Sequence, residues 1–448
     1  MVMEKYLAHY AEPESRSASP LPRSHRSGYD HVLCLPAFAE EPDFLDTVFT
    51  NLANSAVLVI LVVNANQACT GSELQKTRDI VAWLDNRARS SHALADNMRL
   101  LELAKHDVLL VDRCHDPWRL DAGQGVGKAR KIACDIACRL IQDKCIRSHW
   151  MHVTDADARL PEDYFEVTRQ LDPDTNSAAL YRFQHDAHSD PAITQAQALY
   201  DLSLDYYVAG LDWAGSPWAF HTIGSTLAVS SVHYARVRGF PDREAGEDFY
   251  LLNKLAKTGQ VRQLASLPIM LECRVSTRVP FGTGPALQKI LALGDPPQDF
   301  TCYNPQCFVY LKCWLALMAT LSQNTTDSLG TTIAHFCQQE TEFANAEIDP
   351  KVLHQCLAAL NTDKALHHAR ENSRSPAVFQ RHMNNWFDAF MTLKFIHWLR
   401  EHHLPSVPAS LIQDGTCLPF AFVPGRNDPA PPASTRSQQS LPPGRPGH

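Results

Sequence analysis

Blocks of apolar and polar residues alternate along the first half of the chain and predict strands and helices in turn. The apolar run 56–63 is hydrophobic at every position, which is typical of a parallel strand covered on both faces. Strands alternating with helices indicate an α/β fold whose ligands lie at the carboxyl ends of the strands. We therefore predict a mostly parallel open sheet flanked by helices. The strands expected in it span residues 31–36, 56–63, 108–111, 150–154 and 223–230.

The clearest predicted helix spans residues 126–142, because its apolar residues recur every three or four positions. They form one stripe, and we expect the charged residues of the helix to face solvent. These charged residues are Lys128, Arg130, Lys131, Asp135 and Arg139. Shorter helical patterns cover residues 44–52 and 79–89.

After about residue 300 the alternation stops and helical patterns dominate, at 307–321, 350–369 and 378–400. The two ends of the chain are rich in Ser, Pro and other residues that bury little apolar surface, which is typical of disorder. The predicted organisation is a disordered tail over 1–28, an α/β domain over 29–295, a helical region over 296–423 and a second disordered tail over 424–448.

Charge and composition exclude some functions. The net charge of −8 gives no general attraction to nucleic acid. The 13 cysteines are scattered and contain no zinc-ribbon spacing, so we expect reduced, mostly buried thiols. No signal peptide and no apolar run long enough to span a bilayer are seen, which predicts a cytoplasmic protein. Peripheral contact of residues 307–321 with the inner face of a membrane remains an alternative.

Two acidic motifs carry the candidate chemistry. Asp155 and Asp157 follow the predicted strand 150–154, where paired carboxylates can converge on Mg²⁺ or Mn²⁺. Glu247 and Asp248 begin a predicted helix. They could supply a catalytic base, or they could simply stabilise the N-terminus of that helix.

A Gly-rich loop leads into the helix 126–142. It is not a P-loop, because Ala occupies positions 122 and 129, where that motif needs Gly and Ser or Thr. The loop and the free amides of the helix could instead face phosphates together with Lys128 or Arg130, or the loop could only cap the helix. Arg274 and Arg278 precede another Gly-containing turn and could clamp a diphosphate, or they could be ordinary surface arginines.

In their order, these motifs resemble those of glycosyltransferase family 2, which has the nucleotide-binding α/β domain called GT-A. The resemblance covers roughly residues 29–290. It rests on the opening Pro-Ala-Phe-Ala-Glu-Glu at 36–41, Asn64 to Asn66 after the second strand, the Asp-Ala-Asp motif and the Glu-Asp-x-x-Leu pattern from Glu247. Family members commonly carry Asp after the second strand, so Asn at this place is a departure that leaves the base open.

The resemblance implies a role for each matching residue. Asp155 and Asp157 would hold Mn²⁺ or Mg²⁺. His221 lies in an apolar segment, and its place in the sequence allows a third metal ligand, a contact with the acceptor or a hydrogen-bonded core residue. Asp248 would be the catalytic base, with Glu247 beside it. Ser225 and Trp218 are the candidates for acceptor binding. The donor-binding candidates are Pro36, Ala37, Glu40, Asn64, Asn66, Gly127, Lys128, Arg130, Asp155 and Arg278.

The expected function is metal-dependent transfer of a sugar from a nucleotide-diphosphate sugar to an acceptor hydroxyl, with inversion if Asp248 is the base. The acceptor is a saccharide, a lipid-linked molecule or a small molecule. Retaining transfer stays open, since one fold serves both stereochemistries. The alternatives are a nucleotidyltransferase and a non-catalytic scaffold that binds a sugar or nucleotide.

Overall fold

Strands and helices alternate up to residue 271, and the chain is mainly helical beyond it. A computed structural model describes residues 2–22, 28–52, 55–243, 245–275, 282–322, 328–344 and 346–425. These residues belong to two units. The sheet unit comprises the chain up to Pro191 and from Thr222 to Ala286, and the helical unit comprises Ala192–His221 and the chain from Leu287.

The strands of the described residues follow one another along the chain as β1 (His31–Ala37), β2 (Val57–Asn64), β3 (Ser90–Ala95), β4 (Met98–Glu102), β5 (Asp107–Arg113), β6 (Trp150–Val153), β7 (Ala158–Arg159), β8 (Asn176–Leu180), β9 (Phe183–His185), β10 (Leu227–Ser230), β11 (Gln260–Gln263), β12 (Ile269–Leu271), β13 (Thr301–Cys302) and β14 (Val407–Pro408).

The helices are α1 (Val2–His9), α2 (Glu14–Ser17), α3 (Phe44–Asn51), α4 (Gly71–Asp85), α5 (Val126–Gln142), α6 (Glu166–Arg169), α7 (Pro191–Trp213), α8 (Ser231–Arg236), α9 (Glu247–Leu255), α10 (Thr283–Leu291), α11 (Pro296–Asp299), α12 (Gln306–Thr320), α13 (Leu329–Gln339), α14 (Thr341–Ala344), α15 (Pro350–Ala359), α16 (Thr362–Glu371), α17 (Pro376–Trp386), α18 (Ala389–His402) and α19 (Ala409–Asp414). In the described part of the chain, none of them combines the length and the apolar character needed to cross a membrane.

Among the described residues, nine strands form one sheet in the order β11-β8-β10-β6-β1-β2-β5-β4-β3. Strand β1 lies parallel to β2 and β6, and β2 lies parallel to β5. Strands β4 and β10 run antiparallel to their neighbours. The predicted α/β class is confirmed, but the sheet is mixed rather than mostly parallel. One reason is that β3 and β4 are joined by only two residues, which permits antiparallel pairing alone.

The centre of the sheet is apolar on both faces. Every residue of β1 and β2 is buried, and α5 packs against both strands. Because β1, β2, β5 and β6 are parallel, their carboxyl ends meet at one edge of the sheet. We call this the carboxyl edge, and it carries the residues that follow those four strands.

The N-terminal residues are ordered, so the predicted tail over 1–28 is wrong for the described residues 2–22. Tyr6 in α1 is 1% exposed, and its hydroxyl donates a hydrogen bond to Asp135 of α5. Lys131 donates to the other Asp135 carboxylate oxygen at 2.7 Å. The tail was predicted because its composition offers little apolar surface to bury. Buried hydrogen bonds and ion pairs also hold this segment to α5, and a composition argument does not detect them. Residues 23–27 and 426–448 lie outside the described chain.

The same contacts change the environment of α5. Arg130, Lys131 and Asp135 were expected to face solvent, but all three are buried. Lys131 and Asp135 pair with each other within the helix. The partners of Arg130 lie 25 and 117 positions away, and Tyr6 lies 129 positions from Asp135, so a helical periodicity argument does not detect these contacts.

The helical unit begins earlier than predicted. The boundary at 295 assigns Ala192–His221 to the sheet domain, whereas these residues belong to the helical unit. Two predicted helices are each divided in two. Residues 350–369 separate into α15 and α16 at Asn361, whose φ of 60° is left-handed. The predicted helix 378–400 separates into α17 and α18. Asp388 caps the start of α18, because its carboxylate accepts hydrogen bonds from the backbone N–H groups of Phe390 and Met391.

Candidate active site

Arg130 of α5 joins the two acidic motifs. Its Nη2 donates to both carboxylate oxygens of Asp155, at 2.6 and 2.7 Å, and its Nη1 donates to Glu247. Arg130 and Glu247 are 5% and 2% exposed. One buried guanidinium therefore connects the loop after β6 with the first turn of α9.

This cation stays charged. Burial alone would lower the pKa of Arg130, but Asp155, Glu247 and Asp248 reverse that effect and raise it above its ordinary value. Arg130 therefore stabilises negative charge at the site over the whole working range of pH.

Two glycines make room for this arrangement. A Cβ atom on Gly127 would lie 2.7 Å from the carbonyl oxygen of Arg243 and 3.2 Å from the Glu247 side chain. A Cβ atom on Gly224 would lie 2.6 Å from Nη2 of Arg130. Any larger side chain would collide at both places, so these glycines allow the close approach that the site needs.

Asp248 differs from an ordinary surface carboxylate. Burial, followed by the nearby charge of Glu247, raises the pKa of Asp248 to about 7. Arg130 and the backbone N–H of Phe249, which donates to Asp248 at 2.7 Å, act in the opposite direction. A carboxyl group that exchanges its proton near neutral pH suits general-base catalysis.

Arg274 forms a second charged group at the site. It donates to both carboxylate oxygens of Glu40, at 2.7 and 2.8 Å, and its Nη2 lies 3.0 Å from Asp157. Burial lowers the pKa of Arg274, but Glu40 and Asp157 more than compensate and raise it. The donor-binding candidate Glu40 is thereby tied to the Asp-Ala-Asp motif. Arg278, the other candidate in this segment, lies outside the described residues.

The charges of these two groups do not balance. Six carboxyl groups surround the two guanidinium groups, namely those of Glu40, Asp155, Asp157, Glu247, Asp248 and Glu272. The excess negative charge is carried by oxygen atoms, which suits a hard divalent cation. Arg130 and Arg274 already engage Asp155 and Asp157, and within the described residues no third His, Cys or carboxylate converges with them on a common point. The donor type and the charge therefore fit Mg²⁺ or Mn²⁺.

The candidates after β1 and β2 differ in their surroundings. Pro36 and Ala37 are buried at the end of β1. Asn64 is 4% exposed, and its Oδ1 atom has no hydrogen-bond partner among the residues described. Asn66 instead holds its own loop, since it donates to the Gln124 carbonyl at 3.2 Å and accepts from the backbone N–H of Cys69 at 3.0 Å. Of the two asparagines, Asn64 is therefore the better candidate for ligand binding, because its buried Oδ1 atom can still accept a hydrogen bond.

Lys128 is paired within the chain. Its Nζ atom donates to Glu12 at 2.9 Å and lies 3.5 Å from Asp242. Burial lowers the pKa of Lys128, but the two carboxylates outweigh it and the net shift is upward. Lys128, which was predicted to face phosphates, thus contacts the N-terminal segment. The sequence did not predict this contact, because Glu12 lies in the segment that was predicted to be a disordered tail.

The acceptor candidates belong to different units. Ser225 is buried in the sheet unit. In the helical unit, Trp218 is buried and its Nε1 donates to the Phe387 carbonyl at 3.1 Å. His221 Nε2 lies 3.0 Å from Oδ1 of Asp205. Trp218 and His221 are therefore both packed and hydrogen-bonded within the helical unit.

Comparison with known proteins identifies no family for this chain. No protein-family model matches it. No curated protein is significantly similar to it either. The case for a function therefore depends on the geometry of Arg130, Asp155, Glu247 and Asp248.

Proposed function

We propose that the protein transfers a sugar from a nucleotide-diphosphate sugar to an acceptor hydroxyl, using a GT-A type domain. The observation that supports this most strongly is the bridge made by Arg130. It brings Asp155, at the carboxyl edge, together with Glu247 and the adjacent Asp248 of α9. A diphosphate site beside a carboxyl base is what such a transfer requires.

Asp155 and Asp157 would hold Mg²⁺ or Mn²⁺, and the bound ion would neutralise the charge that builds up on the leaving diphosphate. The ion and the arginines would share these carboxylates. A carboxylate has about four lone-pair sites, so one that accepts from a guanidinium retains capacity for a second partner.

The residues of the chain perform the remaining steps. Asp248 takes the proton of the acceptor hydroxyl, and its elevated pKa makes it a better base than an ordinary aspartate. Arg130 neutralises the Glu247 carboxylate next to it. The free Oδ1 of Asn64 accepts a hydrogen bond from the base or ribose of the donor. Attack from the face opposite the diphosphate inverts the anomeric carbon.

The first test is a thermal-shift screen of the full chain with UDP, GDP, CDP, TDP and ADP, each with Mg²⁺, with Mn²⁺ and with a chelator. A ligand at about 100 times its Kd adds about 2.7 kcal/mol of stability. We expect one diphosphate to stabilise the protein, and the chelator to abolish that effect.

Asp157→Asn should remove the metal-dependent part of the shift. Asp186→Asn is its matched control, because Asp186 pairs with Arg159 at 2.8 Å at an exposed place in the same unit. Absence of a shift with every diphosphate in wild-type protein, or equal shifts in the two variants, would count against the proposal. With the donor identified, Asp248→Asn should bind it normally but transfer the sugar about 10²-fold more slowly or worse.

A further inference from the structure

A second cluster of polar side chains lies at the carboxyl edge, at the end of β5. Asp112, Cys114 and His115 direct a carboxylate, a thiol and an imidazole toward a common point. Nδ1 of His115 is 2.8 Å from Oδ2 of Asp112, and the Cys114 sulfur is 3.3 Å from Oδ1 of Asp112 and 3.4 Å from Nδ1 of His115. The candidate active site described above uses none of these residues.

The spacing of the three ligand atoms is close to that of a tetrahedral zinc site. Zinc bonds of about 2.3 Å to sulfur and about 2.0–2.2 Å to nitrogen and oxygen place neighbouring ligand atoms roughly 3.4–3.6 Å apart. The two distances that involve the Cys114 sulfur need to open by only a few tenths of an ångström. The contact between Asp112 and His115 is a hydrogen bond that metal binding would replace.

A turn of the backbone explains only part of this geometry. The Asp112 carboxylate accepts hydrogen bonds from the backbone N–H groups of Cys114 and His115, at 2.9 and 3.1 Å, and these bonds close the turn. Such a turn places no requirement on the two side chains that follow it. Here both of them also converge on the same carboxylate, and they are the two most common zinc-binding side chains.

Charge and exposure also suit a bound cation. An ionised Asp112 and a Cys114 thiolate together carry two negative charges, which a divalent ion neutralises. Arg78 donates from Nε to the backbone carbonyl of Cys114 at 3.3 Å, and its Nη2 lies 3.9 Å from Oδ2 of Asp116. Cys114 is fully buried, whereas the His115 side chain is 39% exposed. The open side of the cluster therefore faces solvent beside the imidazole.

We propose that Asp112, Cys114 and His115 form a site for Zn²⁺ or a similar thiophilic divalent cation, with a fourth position open to water or a ligand. Binding forms a bond between the metal and the Cys114 sulfur and releases the thiol proton to solvent. Neutral His115 binds through Nδ1 and keeps its proton on Nε2. The sulfur ligand distinguishes this site from the all-oxygen site at Asp155 and Asp157.

The test uses Co²⁺ as a probe for the full chain after dialysis against a chelator. A thiolate bound to Co²⁺ produces a near-ultraviolet charge-transfer band, which an oxygen-only site cannot produce. We expect the band to saturate as a single class of site and to be displaced by Zn²⁺. Cys114→Ser should abolish it, whereas Cys145→Ser should retain it. Cys145 is a suitable control because it is a half-buried thiol in the same unit.

His115→Gln is the substitution that should disturb folding least, because the His115 side chain is partly exposed. It should weaken Co²⁺ binding by at least about 10-fold, the loss that even an outer-shell partner causes. Absence of the band in wild-type protein, its survival in a folded Cys114→Ser variant, or unchanged affinity in His115→Gln would overturn the proposal. None of these outcomes depends on sugar transfer, so the two proposals can fail separately.

Discussion

Arg130→Met removes the cation that joins Asp155 to Glu247 and keeps much of the apolar stem of the side chain. Removing one partner of a buried ion pair costs about 3–5 kcal/mol, because the other charge stays buried without compensation. Glu247 is 2% exposed and cannot regain water, whereas the Asp155 side chain is 32% exposed and can. We therefore expect a loss at the lower end of that range, about 3 kcal/mol.

Hydrogen exchange of peptides from α5 and α9 measures this loss where it occurs. A loss of about 3 kcal/mol corresponds to roughly 10²-fold faster exchange. Arg139→Met is the matched control on the same helix, since Arg139 forms a partly exposed pair with Asp143 at 2.9 Å. Such a pair contributes about 0.3–0.5 kcal/mol. Equal acceleration in the two variants would refute the view that the buried bridge organises the site.

Three other perturbations test neighbouring features. Gly224→Ala should cost about 1–3 kcal/mol in unfolding free energy, measured by urea denaturation, because the new methyl group displaces the Arg130 guanidinium. Ionising Asp248 costs wild-type stability as pH rises from its ordinary pKa of 3.8 to about 7. Asp248→Asn should therefore gain stability relative to wild type, by about 1.4 kcal/mol for each pH unit in that window. Tyr6→Phe should cost about 1–3 kcal/mol, because Asp135 loses a buried donor.

Each of these tests has a result that contradicts it. Gly224→Ala with wild-type stability would mean that Arg130 is not held in place. Parallel stability curves for wild type and Asp248→Asn between pH 4 and pH 7 would mean that the pKa of Asp248 is not elevated. Tyr10→Phe is the control for Tyr6→Phe, because Tyr10 is 37% exposed. Equal effects of the two tyrosine changes would mean that the N-terminal segment is not anchored through Asp135.

The sequence predicts those elements whose apolar pattern is strong. Residues 126–142 were expected to form a helix and correspond to α5 without any shift. The apolar run 56–63 became β2, displaced by one residue. Strands β3 and β8 were missed, because their segments are rich in Ala, Ser and Asn and carry little strand character. Periodicity detects a buried face made of large apolar residues and gives no signal in strands built of small or polar residues.

The candidate site shows the same limit. The position of Asp155 after a strand could be derived from the sequence, because strand ends define an edge. The burial of Arg130 could not be derived, since its partner Glu247 is 117 positions away. The Asp-x-Cys-His run at 112–115 is a local pattern, but it contains a single cysteine and zinc-ribbon spacing does not describe it. Long-range ion pairs determine which charged residues are buried, and a single sequence does not record them.

The interleaving of the two units along the chain affects how the protein can be divided. The polypeptide leaves the sheet unit at Pro191 and returns to it at Thr222. A fragment that stops at residue 286 therefore carries α7 without the rest of the helical unit. Leu199, Leu202 and Leu211 of this helix are buried in the intact chain, and the fragment lacks the part of the helical unit that follows residue 286. A fragment containing only the sheet unit requires removal of 192–221 as well as of the chain from Leu287.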